Sequence, residues 1–589
     1  MWSVIILKSK LFITSMSTII GLYGVFILFL LAIFTFMGIS LSYLLLGSII
    51  FLAIQFLIAP YITDWIMRVL YKANFNMSMP DYLVAFINDV CRQHNMKYPK
   101  IGYIDDGAPN AFTYGRTKND ARIILTRGIF ELLTPEEVKT VVAHEMGHAV
   151  HYDMFFMTVA QMIPLVLRWI YEVTIRSANN NNKNGGYVAI IGIVAFILHV
   201  ICQYVILWFS RTREYFADEF AVEKTYNPNA MASALVKIGY GLVTANNKNQ
   251  EQPIEDKNTE QLITEILTLS KEQGKELKEE KLRKQSLQQL QMTLKGLQAR
   301  NRVDISSVSA LGIFDSKSSS SLVISSYNNG NMDLENIKKA ARWELWNPWA
   351  GWFELHSTHP RISKRLKSIF KMAPYYSQQP FVTFDEQKPE SYVDDFLWEL
   401  LIQFLPLIIT VITGGLVAYF IYTDQYYATL TIGIGLMLLA GASLIKLRRA
   451  YKHNYVSTNI ANLLGEVKVS HITSVPCELK GTFIGRGTPG FIFSEDFVLR
   501  DETGIVFIDY KQPLSIMNFF FGLFKAKQYI NKEVVIHGWY KRAPVPYVEL
   551  YHMTVDGVTK KCYTYGFKKA MIGILFSIGI IVAIAGMAI

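Results

Sequence analysis

Two histidines stand four residues apart in the stretch Val141–Val150, and a glutamate directly follows the first of them. Positions i and i+4 of an α-helix lie on one face, so His144 and His148 can share one metal ion. This HExxH pattern adds a carboxylate, Glu145, that can take a proton from a metal-activated water. The spacing predicts zinc hydrolase chemistry, although Mn or Co could also satisfy these ligands.

The residues before the motif predict the helix that it requires. Thr134 suits the N-cap, Pro135 the first helical position, and Glu137 closes a capping box before an apolar run. We expect this helix to continue through Tyr152 and Asp153 into a membrane span. An ordinary amphipathic helix that binds no metal is the alternative interpretation.

Composition places the chain among membrane proteins. Its 589 residues are 51% hydrophobic and their mean hydropathy is +0.22, which is more apolar than an ordinary soluble protein of several domains. Seven stretches of membrane length are predicted. Two lie between Lys10 and Asp64, which enclose no charged residue, and the others are Met154–Ile175, Tyr187–Ser210, Leu400–Thr423, Gln425–Ile445 and Ala570–Ile589. Arg168 and Glu172 interrupt one of them, but their i,i+4 spacing lets them form an ion pair.

Basic residues flank the predicted spans on one side of the membrane. These residues are Lys8, Lys10, Arg68, Lys72, Arg211, Arg213, Lys446, Arg448, Arg449, Lys452, Lys560, Lys561, Lys568 and Lys569. The positive-inside rule therefore places the HExxH helix in the cytoplasm, at the plasma membrane. The same residues account for most of the net charge of +10, so this charge does not indicate a nucleic-acid partner. Four scattered cysteines without a CxxC pair are typical of a reduced cytoplasmic protein.

A small sheet is predicted upstream of the HExxH helix. Tyr82–Asn95 has the pattern of a helix, and Lys100–Asp105 and Ala121–Thr126 have the pattern of strands. The edge of such a sheet, beside the metal, can bind an extended peptide backbone.

A third metal ligand is expected after the predicted membrane hairpin. Glu214 and Asp218 have ExxxD spacing, which puts two carboxylates on one helical face: one can bind a metal and the other can orient a ligand imidazole. The hairpin can return Glu214 to the same membrane boundary as His148.

Several motifs together resemble those of the HtpX-type membrane metalloproteases, which belong to the same broader family as the CAAX prenyl endoproteases. They are HEMGH, SRTREYFAD at Ser210–Asp218, STHP at Ser357–Pro360 with Arg365, and the edge-strand motif Asn110-Ala111-Phe112. The resemblance covers roughly residues 10–370. It implies metal ligands His144, His148 and Glu214, general base Glu145, a supporting Asp218, an intermediate-stabilising His359, and substrate binding by Asn110, Ala111 and Phe112. The alternative for His359 is a structural role, as a histidine that caps a helix or is buried in a His-Pro turn.

Two features around the STHP motif leave alternatives open. Residues 246–330 are polar, with leucines in helical spacing, and predict an inserted helical hairpin that either covers the cleft as a lid or has no catalytic role. Trp343, Trp346, Trp349 and Trp352 are predicted either at the membrane interface or, with a slight preference, in a core beneath the active site.

Short alternating runs with glycines predict a β domain near the C-terminus. A hairpin is expected over Phe497–Asp509 and further strands over Glu533–Trp539 and Tyr547–Met553. Their pattern resembles a small OB-type barrel. Since no basic stacking groove is evident, we expect protein docking or a scaffold role and no nucleic-acid binding.

The predicted fold class is a multispanning α-helical membrane protein with a mixed α/β zincin-like catalytic domain and a small C-terminal all-β domain. The boundaries are 1–64 for an N-terminal membrane hairpin, 65–153 and 211–395 for the two parts of the catalytic domain, 154–210 and 396–449 for two more hairpins, 450–567 for the β domain and 568–589 for a final span. The expected function is zinc-dependent cleavage of membrane-associated or unfolded proteins in quality control. A CAAX-type prenyl protease and a non-enzymatic scaffold are the alternatives.

Overall fold

The computed structural model describes residues 21, 24, 26, 29, 41–178, 185–251, 327–328, 331–385, 387–423, 427–486, 496–543 and 545–588. The helices are α1 (Leu41–Val69), α2 (Asp81–His94), α3 (Arg127–Leu132), α4 (Pro135–Val150), α5 (Asp153–Ala178), α6 (Gly185–Thr225), α7 (Pro228–Glu251), α8 (Leu334–Trp346), α9 (Pro348–Glu354), α10 (Ile362–Phe370), α11 (Val393–Tyr422), α12 (Tyr427–Ala450), α13 (Ile460–Gly465), α14 (Ser515–Phe524) and α15 (Thr564–Ala588). The strands are β1 (Lys100–Ile104), β2 (Ala111–Gly115), β3 (Ala121–Thr126), β4 (Tyr327–Asn328), β5 (Asn331–Met332), β6 (Val456–Ser457), β7 (Val475–Arg486), β8 (Phe497–Arg500), β9 (Ile505–Asp509), β10 (Glu533–Arg542), β11 (Pro546–Val555) and β12 (Val558–Lys561).

Five helices among the described residues are long and apolar enough to cross a membrane. They are Asp153–Ile175, Gly186–Thr225, Val393–Tyr422, Tyr427–Ala450 and Thr564–Ala588. They coincide with five of the seven predicted spans. A sixth, in the second half of the N-terminal hairpin, falls within α1. The first predicted span, apart from four residues, and residues 252–326 of the predicted insertion lie outside the described residues.

The ion pair predicted within α5 is present, and a second polar contact joins α5 to α6. The Arg168 guanidinium lies 3.1 Å from the Glu172 carboxylate one turn away. His199, a polar residue in the middle of the apolar run, has its Nδ1 atom 2.7 Å from the carbonyl oxygen of Pro164 on the other helix. His199 therefore joins the two helices through an interhelical hydrogen bond.

The HExxH helix and the following membrane helix are separate, so the expectation of one continuous helix is wrong. Thr134 and Glu137 form the predicted capping box at the start of α4. At the other end Tyr152 adopts a left-handed conformation, with a φ angle of 58°. This conformation interrupts the helical hydrogen-bond ladder and lets the chain change direction before α5 begins at Asp153.

The predicted catalytic domain is built on a three-stranded sheet in the order β1-β3-β2. β1 runs parallel to β3, and β2 runs antiparallel to it with Ala111 opposite Leu125. One face of the sheet buries Ile123 and Leu125 in a core that includes Val141 and Met146 of α4. β2 is an edge strand, since no other strand in the described part of the chain pairs with its outer side.

Five strands near the C-terminus close into a barrel. β7 pairs with β8, β8 with β9, β9 with β11, β11 with β10, and β10 returns to β7. The β9–β11 pair is parallel and the other four pairs are antiparallel. The short strand β6 adds to β7, β12 adds to β11, and α14 connects the third and fourth barrel strands. The predicted small barrel is therefore present.

Helices α8 and α9 contribute side chains to the hydrophobic core of the barrel. Trp343 and Trp349, from these two helices, are buried among barrel side chains, so they are core residues. Trp343 donates its indole N–H to the carbonyl of Val469 at 2.7 Å. The buried Arg542 of β10 stacks over the Trp343 ring and donates to the carbonyl of Ala340. These contacts fix the barrel to α8, the helix that precedes the STHP motif.

Candidate metal centre

The HExxH helix and α6 pack closely enough to bring their polar side chains to one point. Gly147 permits this approach, because a Cβ atom there would lie 3.2 Å from the Phe220 ring and 3.3 Å from the Cα of Ala217. α6 continues without a break from its apolar segment through Glu214 and Asp218. The predicted third ligand therefore lies on the direct extension of a membrane helix.

Three side chains converge as the HExxH and ExxxD patterns predict. The Nε2 atoms of His144 and His148 are 3.2 Å apart. The two carboxylate oxygens of Glu214 lie 3.7 Å and 3.6 Å from these nitrogens. All three potential ligand atoms lie within 4.8 Å of one another. Tetrahedral zinc with its usual bond lengths of about 2.0–2.1 Å requires ligand separations of about 3.3 Å, so the set fits a zinc ion.

Carboxylates fix the orientation of both imidazoles. Asp218 lies 3.0 Å from Nδ1 of His144, in the supporting position predicted for it. Asp153 lies 2.6 Å from Nδ1 of His148, which the sequence did not predict. When each Nδ1 donates a proton to its carboxylate, both Nε2 lone pairs face each other and Glu214. Lone pairs that face one another repel, and a cation bound between them would remove this repulsion.

Burial keeps His148 in its metal-binding form. Removal from water and the neighbouring His144 lower the pKa of His148 well below its ordinary value. The imidazole is therefore neutral at physiological pH, and neutral imidazole is the form that coordinates metals.

Two buried arginines balance the carboxylates around the site. Arg365 donates to both oxygens of Asp218 at 2.9 Å and 2.6 Å, and a third nitrogen lies 3.2 Å from Glu214. Arg213 forms an ion pair with Asp153. Since these groups are almost completely buried, each carboxylate needs such a partner to stay charged. The sequence indicated Arg365 only through the family resemblance.

Glu145, which directly follows His144, is held between α4 and the edge strand β2. Its side chain is almost completely buried, and one oxygen accepts a 2.7 Å hydrogen bond from the Thr113 hydroxyl of β2. Burial raises the pKa of Glu145 to about 7. Thr113 was missed by the sequence reasoning, although it directly follows the Asn110-Ala111-Phe112 motif.

His359 lies beside the third ligand. Its Nδ1 atom is 3.1 Å from a Glu214 oxygen, and its ring is buried. The loop that carries it is bound to α6 by Arg211, which donates to the carbonyls of Glu354 and Ser357 at 2.7 Å and 2.8 Å. The structure thus brings His359 to the site through an arginine on the same helix as Glu214.

The Asn110-Ala111-Phe112 motif opens the edge strand. The side chains of Asn110 and Phe112 are buried, and Phe112 packs with Met67 on the face of the sheet opposite α4. The Asn110 N–H donates to the Thr126 hydroxyl of β3, and the Asn110 carbonyl accepts from the Thr126 N–H, so the peptide groups of Asn110 point into the sheet. Along an antiparallel strand, the N–H and C=O groups of successive residues point to opposite sides. Those of Ala111 and Thr113 therefore point away from β3, toward the unpaired edge of β2.

Comparisons with known proteins agree with this geometry. Residues 80–373 match the model of peptidase family M48. The protease HtpX homolog of Methanothermobacter thermautotrophicus is 36% identical over 235 residues, which cover 39% of this chain and 85% of that protein. The HtpX homolog of Archaeoglobus fulgidus is 32% identical over 210 residues, 35% of this chain and 59% of that protein. The crystal structure of S. mikatae Ste24p is 20% identical over 39% of this chain and 59% of its own, with a TM-score of 0.28, which is too low to support an argument.

The matched region spans the sheet, the HExxH helix and the STHP loop, so it contains every residue of the site. The chain belongs to the M48 family of membrane metallopeptidases, as an HtpX-like member. The family model ends at residue 373, so the C-terminal barrel lies outside the matched residues.

Proposed function

We propose that this chain is a zinc endopeptidase whose metal is held by His144, His148 and Glu214 in a zincin-like site. The pair of Nε2 atoms 3.2 Å apart, oriented by Asp153 and Asp218, is the observation that supports it most strongly. A zinc ion bound there supplies a Lewis acid that lowers the pKa of water toward neutrality.

Glu145 acts as the general base. The Thr113 hydroxyl holds one of its oxygens, which leaves the other free to take the proton of the attacking water. The carboxylate is fixed before substrate arrives, so little ordering is needed at the moment of reaction. His359, beside Glu214, stabilises charge that develops on the scissile carbonyl oxygen.

The substrate binds as an additional strand along β2. The outward peptide groups of Ala111 and Thr113 pair with an extended backbone, while Asn110 and Phe112 contribute by holding the strand in place, since their side chains are buried. Thr113 then connects the substrate strand to Glu145. Such an edge favours an unfolded or extended segment, because most backbone groups of a folded chain are already paired within it.

The physiological role that follows is quality control of misfolded membrane proteins at the cytoplasmic face of the plasma membrane. The site lies on the continuation of membrane helix α6, and the basic residues that flank the spans support the cytoplasmic orientation. The closed five-stranded barrel, with a helix between its third and fourth strands, supports an OB-type domain that serves as scaffold or docking module.

The decisive experiment replaces Glu145 by Gln in the full-length protein, in detergent or nanodiscs. We expect the rate of peptide cleavage to fall by about 10²- to 10⁴-fold while the zinc content is unchanged, because the ligands remain and the base is lost. Glu136→Gln is the matched control, since Glu136 lies on the same helix but is exposed, and its ion-pair partner among the described residues is the nearby surface residue Lys139. Cleavage by Glu145→Gln at the rate of the control would overturn the enzymatic proposal.

A prenyl-directed protease is the second candidate, supported by the shared family. Matched peptides with and without a C-terminal prenyl group distinguish the two. Equal rates support general quality control, whereas cleavage of the lipidated peptide alone supports the prenyl protease.

A further inference from the structure

The helix α14 of the barrel has its apolar side turned outward. Four large side chains before and along it are 39–55% exposed: Leu514, Ile516, Met517 and Phe520. The opposite face is buried against the barrel, where Asn518 accepts a bond from the backbone of Gln512 and Phe521 stacks on Tyr510. A surface helix of a soluble domain shows the reverse arrangement, with polar residues outward. A contiguous apolar stripe of this kind marks a contact surface.

This helix begins beside the point where the last membrane helix begins. Gln512 donates to the carbonyl of Lys561 at 3.0 Å and accepts from the backbone of Tyr563 at 3.1 Å. Thr564, the first residue of α15, donates its hydroxyl to the carbonyl of Lys511 at 2.6 Å. Three hydrogen bonds therefore hold the start of α14 next to the entry of α15 into the bilayer.

Lysines border the apolar stripe. Lys511 precedes α14, and Lys525 and Lys527 follow it, all exposed. Lys568 and Lys569 lie in the first turns of the membrane helix α15, before its apolar run. Helices that lie in a membrane interface combine an apolar face with lysines that reach anionic phosphate groups.

We propose that α14 is an interfacial membrane anchor, whose stripe of Leu514, Ile516, Met517 and Phe520 inserts among the lipid headgroups and upper acyl chains. The lipid bilayer is favoured over a protein partner because hydrogen bonds hold the start of α14 beside the start of the membrane helix α15 and because lysines flank the stripe on both sides. The barrel is then held to the membrane at three points, by α12 before it, by α15 after it and by α14. Through Trp343 it also fixes the height of α8 above the bilayer.

The test uses the full-length protein in nanodiscs of phosphatidylcholine with phosphatidylglycerol. Met517→Cys is labelled with an environment-sensitive fluorophore, and the native cysteines, all buried, do not compete for the label. Val558→Cys is the matched control, because Val558 is 60% exposed on the same domain but lies at the far end of β12 from α15, about 10 Å beyond Lys561. We expect iodide in the water to quench the label at 517 at least about threefold less than the label at 558, and nitroxide lipids to quench only the former.

Equal iodide quenching at the two positions, without quenching by nitroxide lipids, would overturn the proposal. Protection of position 517 that occurs in native membranes but is lost in nanodiscs of the pure protein would also overturn it, in favour of a protein partner. Ile516→Cys serves if the first variant does not fold. The contribution of charge is tested with Lys525→Glu and Lys527→Glu together. This double substitution should increase iodide quenching of the label at 517 in anionic nanodiscs but not in nanodiscs of pure phosphatidylcholine. Unchanged quenching in both would contradict the assigned lysine contacts.

Discussion

The carboxylate of Asp153 lies 2.6 Å from Nδ1 of His148, five positions earlier in the chain. On an uninterrupted helix, residues five apart face in different directions. The left-handed Tyr152 ends α4 and places Asp153 at the start of α5, turned back toward the histidine. The orientation of one proposed zinc ligand therefore depends on a break between the catalytic helix and the membrane.

We predict that Asp153→Asn weakens zinc binding by about 10- to 100-fold, because a neutral amide orients His148 less firmly and makes its Nε2 less basic. The measurement is a competition titration with a zinc chelator in purified full-length protein. The substitution also leaves Arg213 buried without its ion-pair partner.

A second variant separates these two effects. Asp153→Asn combined with Arg213→Gln removes the unpaired buried charge but still lacks the carboxylate. We expect zinc binding to stay weak in the double variant. Recovery of wild-type affinity would instead show that Asp153 serves only to neutralise Arg213.

We predict that Arg211→Gln lowers kcat by about tenfold without loss of zinc, since the loop that carries His359 loses its bonds to α6 while the three ligands remain. This prediction depends on the proposed peptidase activity. Kinetics and metal analysis are measured on the same preparation. Thr212→Val is the control, because the Thr212 hydroxyl bonds only within its own helix. A parallel loss of zinc and activity would contradict a positioning role for Arg211.

A modified substrate tests the edge strand without altering the protein. An ester in place of one peptide N–H, at a substrate residue that pairs with Ala111 or Thr113, removes a single backbone hydrogen bond. We expect kcat/KM to fall by about tenfold when the ester is at every second substrate residue and to change little when it is at the residues in between. The reason is that only every second residue of a strand directs its N–H toward the neighbouring strand. A uniform response along the peptide would argue against strand addition to β2.

The contact between barrel and peptidase part should weaken in acid. The ring of His471 packs 4.4 Å from Trp349, and burial, together with Lys446 and Lys541, lowers the pKa of His471 to about 4. Because this pKa lies below that of the unfolded chain, the stabilisation is present above about pH 6.5 and is lost as the pH falls from there toward 4. We expect a loss of roughly 2 kcal/mol at pH 5, seen as a lower Tm. His471→Gln should show a smaller fall over the same range; an identical pH dependence would contradict this origin.

Local sequence patterns were sufficient for most of the helices and strands and for the two histidines proposed as ligands. The capping box at Thr134 marks the start of α4, and the i,i+4 spacing of His144 and His148 follows from helix geometry alone. Five membrane spans were found because an apolar run of sufficient length has few other stable environments. The third ligand needed more: Glu214 was identified from ExxxD spacing together with the family motif.

Only the tertiary structure decided which surfaces meet. The periodicity of apolar residues indicates that one face of a helix is buried, but not which element covers it. Trp343 and Trp349 were therefore expected in a core, but their position in the barrel core was not predicted. Thr113 and Asp153 reach the site through a strand pairing and a single left-handed residue, neither of which leaves a periodic signal. The sequence by itself determined the chemistry of the proposed zinc site, whereas the fold determined the partners that orient it, because those partners are set by contacts between distant segments.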